Sequence, residues 1–202
     1  MVAGRSKRIQ SLAMAGLGIA LMAAAAQIQV PIGPVPVTLQ TLVLFVILLV
    51  FTPAEMLLCV LGYLVLGAVG LPIGAGFRGG LAWLIGPTGG FLFGFLAAAV
   101  LVVILRQAFS GSSGFFPKSL AWDVAVGLLA MAVYYVCGAF WLAHSANMAL
   151  PAALTVSVLP FVVPDAVKLA AAISCAQALR LACGRAGWRR KPRAEGDDSV
   201  ER

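Results

Sequence analysis

The sequence has very few charged residues. Only 10% of its 202 residues are Asp, Glu, Lys or Arg, whereas a soluble globular domain has about 25%. Hydrophobic residues make up 62% of the chain, and the mean hydropathy is +1.03. These values exclude an ordinary water-soluble domain and indicate a protein whose main solvent is the lipid bilayer.

Motifs of hydrolytic and metal chemistry are also missing. The sequence has no G-x-x-x-x-G-K-[ST] phosphate loop, no G-x-S-x-G elbow and no H-E-x-x-H motif. It has one histidine, and its four cysteines, Cys59, Cys137, Cys175 and Cys183, lack the spacing of metal ligands. We therefore predict no metal site, no cofactor and no enzymatic activity. Any ATP hydrolysis that drives this protein must come from another subunit.

Basic residues exceed acidic ones by 14 to 7. Twelve of the 14 precede the first apolar run, lie at the end of the last one or beyond it, or lie near the connection at residues 106–118. The positive-inside rule then predicts that both termini are cytoplasmic. Because topology and anionic lipid account for this charge, nucleic acid is not a predicted partner. We expect a membrane domain over residues 1–183 and a disordered cytoplasmic tail over residues 184–202.

Six apolar runs approach the about 20 residues that a helix needs to cross the hydrocarbon core. They cover residues 9–26, 39–51, 54–70, 87–105, 120–142 and 164–181. We predict an all-α fold, a six-transmembrane-helix integral membrane bundle in one domain. The first run also fits a secretory signal peptide, but its length favours a retained span.

The second run is short and follows a proline-rich stretch at residues 30–37. Irregular backbone at membrane depth must be buried in protein or line a polar cavity, because lipid cannot satisfy its polar groups. This stretch is therefore an early candidate for part of a binding site.

Seven acidic or basic residues lie between residues 9 and 179. Four of them flank connections and are predicted to be interfacial, namely Glu55, Arg106, Lys118 and Asp123. The other three, Arg78, Asp165 and Lys168, need a partner or a function, since charge inside a membrane is costly.

Pro164 suits the first turn of the last helix, which would place Asp165 at the helix N-terminus. Two interpretations remain open. In the first, Asp165 stabilises the helix start and Lys168 extends outward to water. In the second, the i,i+3 spacing puts both side chains on one face, where they offer an acceptor and a cation to a ligand.

The connection at residues 71–90 holds seven glycines in twenty residues. Glycine permits conformations and close approaches that a Cβ forbids, so such a loop favours a lid. Arg78 would bring a cation to this lid, and Phe77 and Trp83 would bring apolar surface. The alternative is a flexible loop with incidental aromatic residues.

Small residues recur every four positions in two of the runs. They are Gly16, Ala20 and Ala24 in the first run, and Gly86, Gly90 and Gly94 in the fourth. Such faces let helices approach closely. We expect internal packing for the fourth run, and for the first run either internal packing or an external partner.

Four segments together resemble the BioY family, the biotin-binding substrate-capture (S) components of energy-coupling-factor transporters. The segments are residues 31–41 (PIGPVPVTLQT), residues 67–72 (GAVGLP), residues 79–81 with 86–90 (GGL and GPTGG), and Pro164-Asp165 with Lys168. They occur in the family's order and spread over most of residues 10–180. One departure is Phe91, where similar sequences often have Tyr.

The resemblance implies an S-component fold in the bacterial inner membrane, with biotin bound near the outer face. It also implies two kinds of partner, a membrane-embedded coupling protein and ABC-type ATPase subunits, with Gly16, Ala20 and Ala24 docking the coupling protein. The implied ligand-binding residues are Asp165, Lys168, Arg78, Phe77, Trp83, Thr88, Phe91, Gln40 and Asn147. The alternative function is a self-sufficient membrane transporter for biotin or a related vitamin.

Overall fold

A computed structural model of the chain describes residues 2–32, 35–109 and 119–185. Its elements are α1 (Val2–Gln27), β1 (Gln29–Ile32), β2 (Val35–Thr38), α2 (Gln40–Val50), α3 (Pro53–Val69), α4 (Leu81–Ile85), α5 (Gly89–Phe109), α6 (Leu120–Ser145), α7 (Leu150–Ser157) and α8 (Leu159–Arg185). Lys118 and residues 186–202 of the predicted tail lie outside the described residues. The described part is mostly helical, as predicted.

Each of the six predicted apolar runs coincides with a helix, but within the described residues four helices are long and apolar enough to cross a membrane. These four segments are Arg8–Gln27, Gly89–Phe109, Leu120–Ser145 and Leu159–Ala182. The other two, α2 and α3, are apolar but have only 11 and 17 residues. Length therefore identifies four spans, and six crossings remain a prediction.

A β-hairpin joins α1 to α2, which the all-α prediction did not include. Its strands pair antiparallel, with Gln29 opposite Thr38 and Pro31 opposite Pro36. Proline cannot donate to a ladder and is tolerated at sheet edges. Both strands of a two-stranded hairpin are edges, so the proline-rich stretch can pair with itself. We refer to this side of the molecule as the hairpin end.

Glycines bring α5 into close contact with α6. A Cβ at Gly90 would lie 2.1 Å from Trp141 Cβ, and one at Gly94 would lie 2.7 Å from Tyr134 Cα. Elsewhere α2 packs mainly against α8, and α1 against α3. The helix that follows the hairpin is therefore held along the last helix of the bundle.

The start of α8 corrects the prediction for Asp165. The helix begins at Leu159, so Pro164 lies inside it and Asp165 is not at its N-terminus. Pro160 occupies the first turn, where a missing N–H costs nothing. At Pro164 the missing N–H removes a single helical bond, to the carbonyl four residues earlier. Asp165 lies in the second turn of this helix and is buried in the bundle, where it is 1% exposed.

Three of the four residues predicted at the interface are buried. Glu55 caps the start of α3, where its carboxylate accepts the Thr52 N–H at 2.9 Å. Arg106 and Asp123 are 4% and 0% exposed, and both have partners within the bundle. These three charged side chains can be buried because hydrogen bonds and an ion pair replace their hydrogen bonds to water.

Candidate ligand-binding site

A cavity of about 270 Å³ opens at the hairpin end of the bundle. Small-molecule sites commonly have volumes of roughly 300–1,000 Å³, so this one suits a small ligand. The hairpin, the loop between α3 and α4 and the connection between α4 and α5 form part of its wall, and α2, α4, α5, α6 and α8 supply the rest. The proline-rich stretch and the glycine-rich connection thus both reach the cavity, as their sequences indicated.

Asp165 is the centre of a buried polar cluster in this cavity. Its Oδ2 accepts the hydroxyl hydrogens of Tyr134 at 2.7 Å and Tyr135 at 2.9 Å. Its Oδ1 accepts Thr41 Oγ1 at 2.9 Å and Lys168 Nζ at 2.8 Å. Each oxygen therefore has two donors, which stabilises the carboxylate in an apolar surrounding.

Lys168 points inward and not out to water. Its Nζ also donates to Thr41 Oγ1 at 3.1 Å, so Lys168, Thr41 and Asp165 form a closed triangle. The i,i+3 spacing does place the two charged side chains on one face of α8, as predicted. Of the two interpretations, the geometry excludes the one in which Lys168 extends to solvent, since it is 9% exposed.

Gln40 brings a second polar group to the cavity from the start of α2. Its amide lies near the Tyr63 hydroxyl. However, its buried Nε2 has no hydrogen bond of good geometry to any described residue. A buried donor without an acceptor is costly, so this atom offers a hydrogen bond to a ligand.

Aromatic side chains form the apolar walls. Trp83, Phe91, Phe95 and Phe161 line the cavity, and all four are buried. Phe91 fits closely against α6, because a Cβ at Gly138 would lie 2.3 Å from its ring. Phe91, where similar sequences often have Tyr, therefore packs as part of the cavity wall but offers no hydroxyl to a ligand.

Arg78 is the exposed cation at the mouth of the cavity. It lines the cavity from the loop between α3 and α4, and its side chain is exposed. The ion pairs within the described residues are Lys168–Asp165 and Arg180–Asp123. Arg78 thus has no acidic partner in the described part of the chain.

Seven of the nine predicted ligand-binding residues line this cavity, including Thr88, which directly precedes α5. Phe77 does not, although it lies in the same loop as Arg78, and its side chain is 70% exposed. Asn147 does not either. It has a φ of +49° in the connection after α6, a conformation common for Asn at helix ends.

Sequence reasoning did not single out Thr41, Tyr134 and Tyr135 as site residues. The two tyrosines do carry a signal, since their hydroxyls lie in the middle of an apolar run. A polar group at such a position needs a partner. What the sequence does not show is that Asp165, 30 residues later, is that partner.

Comparison with solved structures gives a similar fold. A 2.1 Å crystal structure of the S-component for biotin from an ECF-type ABC transporter matches with a TM-score of 0.77. The match has 23% sequence identity and covers 87% of this chain and 93% of that one. At this identity the match supports the fold alone.

A family model matches residues 3–185, and its description is the BioY family. The chain belongs to the BioY family. Among curated BioY relatives, the biotin transporter BioY of Thermotoga maritima is 36% identical over 85% of this chain and 96% of its own length. The probable biotin transporter BioY of Pyrococcus horikoshii is 38% identical over 86% and 98%.

These BioY relatives are transporters and not enzymes, which agrees with the absence of catalytic motifs from the sequence. Membership of a transporter family, together with several long apolar helices, makes the chain a multi-pass membrane protein. The predicted family and the S-component fold are therefore confirmed.

Proposed function

We propose that this protein binds biotin as the substrate-specific membrane subunit of an energy-coupling-factor transporter, in which other subunits hydrolyse ATP. The observation that carries this proposal is the cavity itself. It combines a buried polar cluster around Asp165, aromatic walls and the exposed cation Arg78. The named function of the BioY relatives supports the same ligand.

The polar cluster suits the ureido ring of biotin, which has two N–H donors and one carbonyl. A ureido N–H that binds Asp165 replaces one of the four donors present in this structure. The Nε2 of Gln40, which has no hydrogen bond of good geometry to any described residue, is proposed to donate to the ureido carbonyl. The thiophane ring and the chain are apolar and suit Trp83 and Phe161. A site of this kind discriminates strongly against analogues without the ureido groups.

The valerate carboxylate of biotin is assigned to Arg78 and not to Lys168. The charge of Lys168 is already balanced by Asp165 at 2.8 Å. Arg78 has no acidic partner among the described residues and lies at the exposed side of the cavity. A valerate carboxylate at the mouth of the cavity would therefore meet Arg78, a cation without an acidic partner among the described residues.

The test compares biotin with biotinamide, which lacks the negative charge, on the purified chain in nanodiscs. Arg78→Gln is expected to weaken biotin binding roughly tenfold, the lower end for a hydrogen bond to a charged group because Arg78 is exposed. Its effect on biotinamide should be within about twofold. Isothermal titration measures both affinities.

The matched control is Arg8→Gln, an exposed arginine at the opposite end of the bundle, which should bind both ligands like the parent. An equal loss for biotin and biotinamide would show that Arg78 does not meet the carboxylate. Failure of the parent chain to bind biotin at all would refute the proposed function.

The proposed membrane arrangement has six crossings, both termini in the cytoplasm and the cavity at the outer face. In support, the six apolar helices follow the six predicted runs. Arg106 and Arg180 lie away from the hairpin, at the end that the positive-inside rule assigns to the cytoplasm. A cavity at the outer face can take up a vitamin before transport.

The proposed partners are a membrane-embedded coupling protein and ABC-type ATPase subunits. Their docking surface is the small-residue face of α1, Gly16, Ala20 and Ala24, which is exposed. A Cβ at Gly16 would meet nothing within 4 Å, so the face is open in the isolated chain. Small residues of this spacing permit close approach by another membrane helix.

A further inference from the structure

Gln27 connects the end of α1 to the loop that carries Arg78. Its Nε2 donates to the Gly74 carbonyl at 3.0 Å, and its Oε1 accepts the Phe77 N–H at 3.0 Å. Nε2 also donates to Ala23 O at 3.2 Å, which ties the amide to its own helix. One side-chain amide therefore ties the first and fourth residues of the five-residue turn from Gly74 to Arg78 to α1.

The turn held by Gln27 needs this support. Gly74 N–H donates to the Arg78 carbonyl at 2.8 Å, which closes the turn, and Gly76 and Phe77 have φ of +69° and +57°. A non-glycine residue at positive φ is disfavoured and persists only when its surroundings hold it. Because Phe77 directly precedes Arg78, the hydrogen bond to its N–H helps set where Arg78 lies.

The same end of α1 leads into the other cover of the cavity. The hairpin starts two residues after Gln27, and a Cβ at Gly76 would lie 3.2 Å from Gln29 Nε2. Gln29, Gly76 and Arg78 all line the cavity. The two segments above the cavity therefore meet where Gln27 holds the loop.

We infer that Gln27 is a positioning residue for ligand retention, which keeps Arg78 over the cavity and slows dissociation of the bound ligand. This inference rests on the proposed function. No part of it requires Gln27 to touch the ligand, and Gln27 does not line the cavity. Its role is exerted through the backbone of the turn.

The binding test uses Gln27→Met, which has a similar length and removes both loop hydrogen bonds. Biotin is expected to dissociate roughly fivefold faster from this variant, as suits the loss of one partly buried and one exposed hydrogen bond. Exchange of bound radiolabelled biotin for excess unlabelled biotin, followed by rapid filtration, measures the rate. Gln107→Met is the control, because Gln107 is exposed near the far end of α5.

A double-mutant cycle separates positioning from a general effect on the fold. In the Arg78→Ala background, Gln27→Met should change dissociation by less than about twofold, since the group that it positions is gone. An unchanged rate in the single variant would overturn the inference. An undiminished effect in the Arg78→Ala background would overturn it as well.

Hydrogen exchange tests the hold on the loop without any ligand. Peptides covering residues 71–80 should exchange faster in Gln27→Met than in the parent or Gln107→Met, because Phe77 N–H loses its acceptor. Equal exchange in all three proteins would overturn the inference. If the parent failed to bind biotin, the proposed function would fall while this measurement still decided whether Gln27 holds the turn.

Discussion

The carboxylate of Asp165 accepts four hydrogen bonds inside an apolar bundle, and this arrangement defines its chemistry. Two tyrosine hydroxyls, those of Tyr134 and Tyr135, share its Oδ2. Because both hydroxyls donate to Oδ2, the loss of either one still leaves this oxygen with a hydrogen-bond donor. The second loss is the costly one, since a buried acceptor without a donor bears its full desolvation penalty.

Removal of these hydroxyls should therefore be more than additive. Tyr134→Phe and Tyr135→Phe are each expected to lower the free energy of unfolding by about 1 kcal/mol, and the double variant by roughly 1–3 kcal/mol more than their sum. Biotin affinity should fall a little in each single variant and much more in the double variant. Unfolding in mixed detergent micelles and titration with biotin measure the two effects.

Tyr63→Phe provides the control for this pair. Its hydroxyl donates to the Ile73 carbonyl at 2.9 Å and does not bond to Asp165. Its effect should add simply to that of Tyr134→Phe. Simple additivity for the pair Tyr134 and Tyr135 would contradict the shared role at Oδ2.

At the scale of elements, α2 is a short helix whose last carbonyls lie within the bundle. Arg106 from α5 donates to the carbonyls of Phe51, at 2.7 Å, and Leu48. Arg180 from α8 donates to Leu49 O at 2.7 Å and forms a bidentate pair with Asp123. Two arginines thus supply the donors that a helix C-terminus lacks, and lipid could not replace them.

Loss of the Arg106 guanidinium should destabilise the protein strongly. Arg106→Met orphans two buried carbonyls, at about 1–3 kcal/mol each. Because α2 begins with Gln40 and Thr41 in the cavity, biotin affinity should fall too. Arg8→Met, which changes an exposed arginine, is the control for both measurements. Equal thermal midpoints for the two variants would disprove the role of Arg106 as a cap of α2.

At the scale of the whole molecule, two glycines of α1 that are two residues apart face in opposite directions. Gly16 is exposed with open space around it. Gly18 is buried, and a Cβ there would lie 2.6 Å from Cys59 Sγ. One face of α1 therefore seals the bundle, and the other is available to a partner.

Substitution of these two glycines should separate folding from assembly. Gly16→Leu should fold and bind biotin like the parent but lose about 90% or more of ATP-dependent uptake with the coupling protein and ATPases, because it blocks close helix approach. Gly18→Leu should impair folding itself, and the isolated chain should have a lowered thermal midpoint. Reconstitution in proteoliposomes and co-purification provide the readouts.

Two results would contradict this assignment of surfaces. Normal assembly and uptake by Gly16→Leu would exclude this face as the docking surface. Biotin uptake by the chain alone, without ATPases, would favour the self-sufficient transporter instead.

The helices and the family could be predicted from the sequence, but several contacts in the site could not. Seven of the nine proposed site residues reach the cavity, because motifs such as residues 31–41 and 86–90 mark the segments around it. The hairpin was missed, since proline-rich runs of this length do not show which partner they pair with. Phe77 is adjacent to Arg78 in sequence, but it is 70% exposed and does not line the cavity, which its position in the chain does not reveal.

The sequence by itself determined where the apolar helices lie, because a helix in lipid must satisfy its backbone within its own segment. Tertiary structure alone decided which polar groups meet. Asp165 joins two tyrosines of α6, Arg106 caps α2 from α5, and Gln27 holds a loop 50 residues away at Phe77. Each of these contacts depends on which helix faces pack together, and periodicity within one segment carries no information about its neighbour.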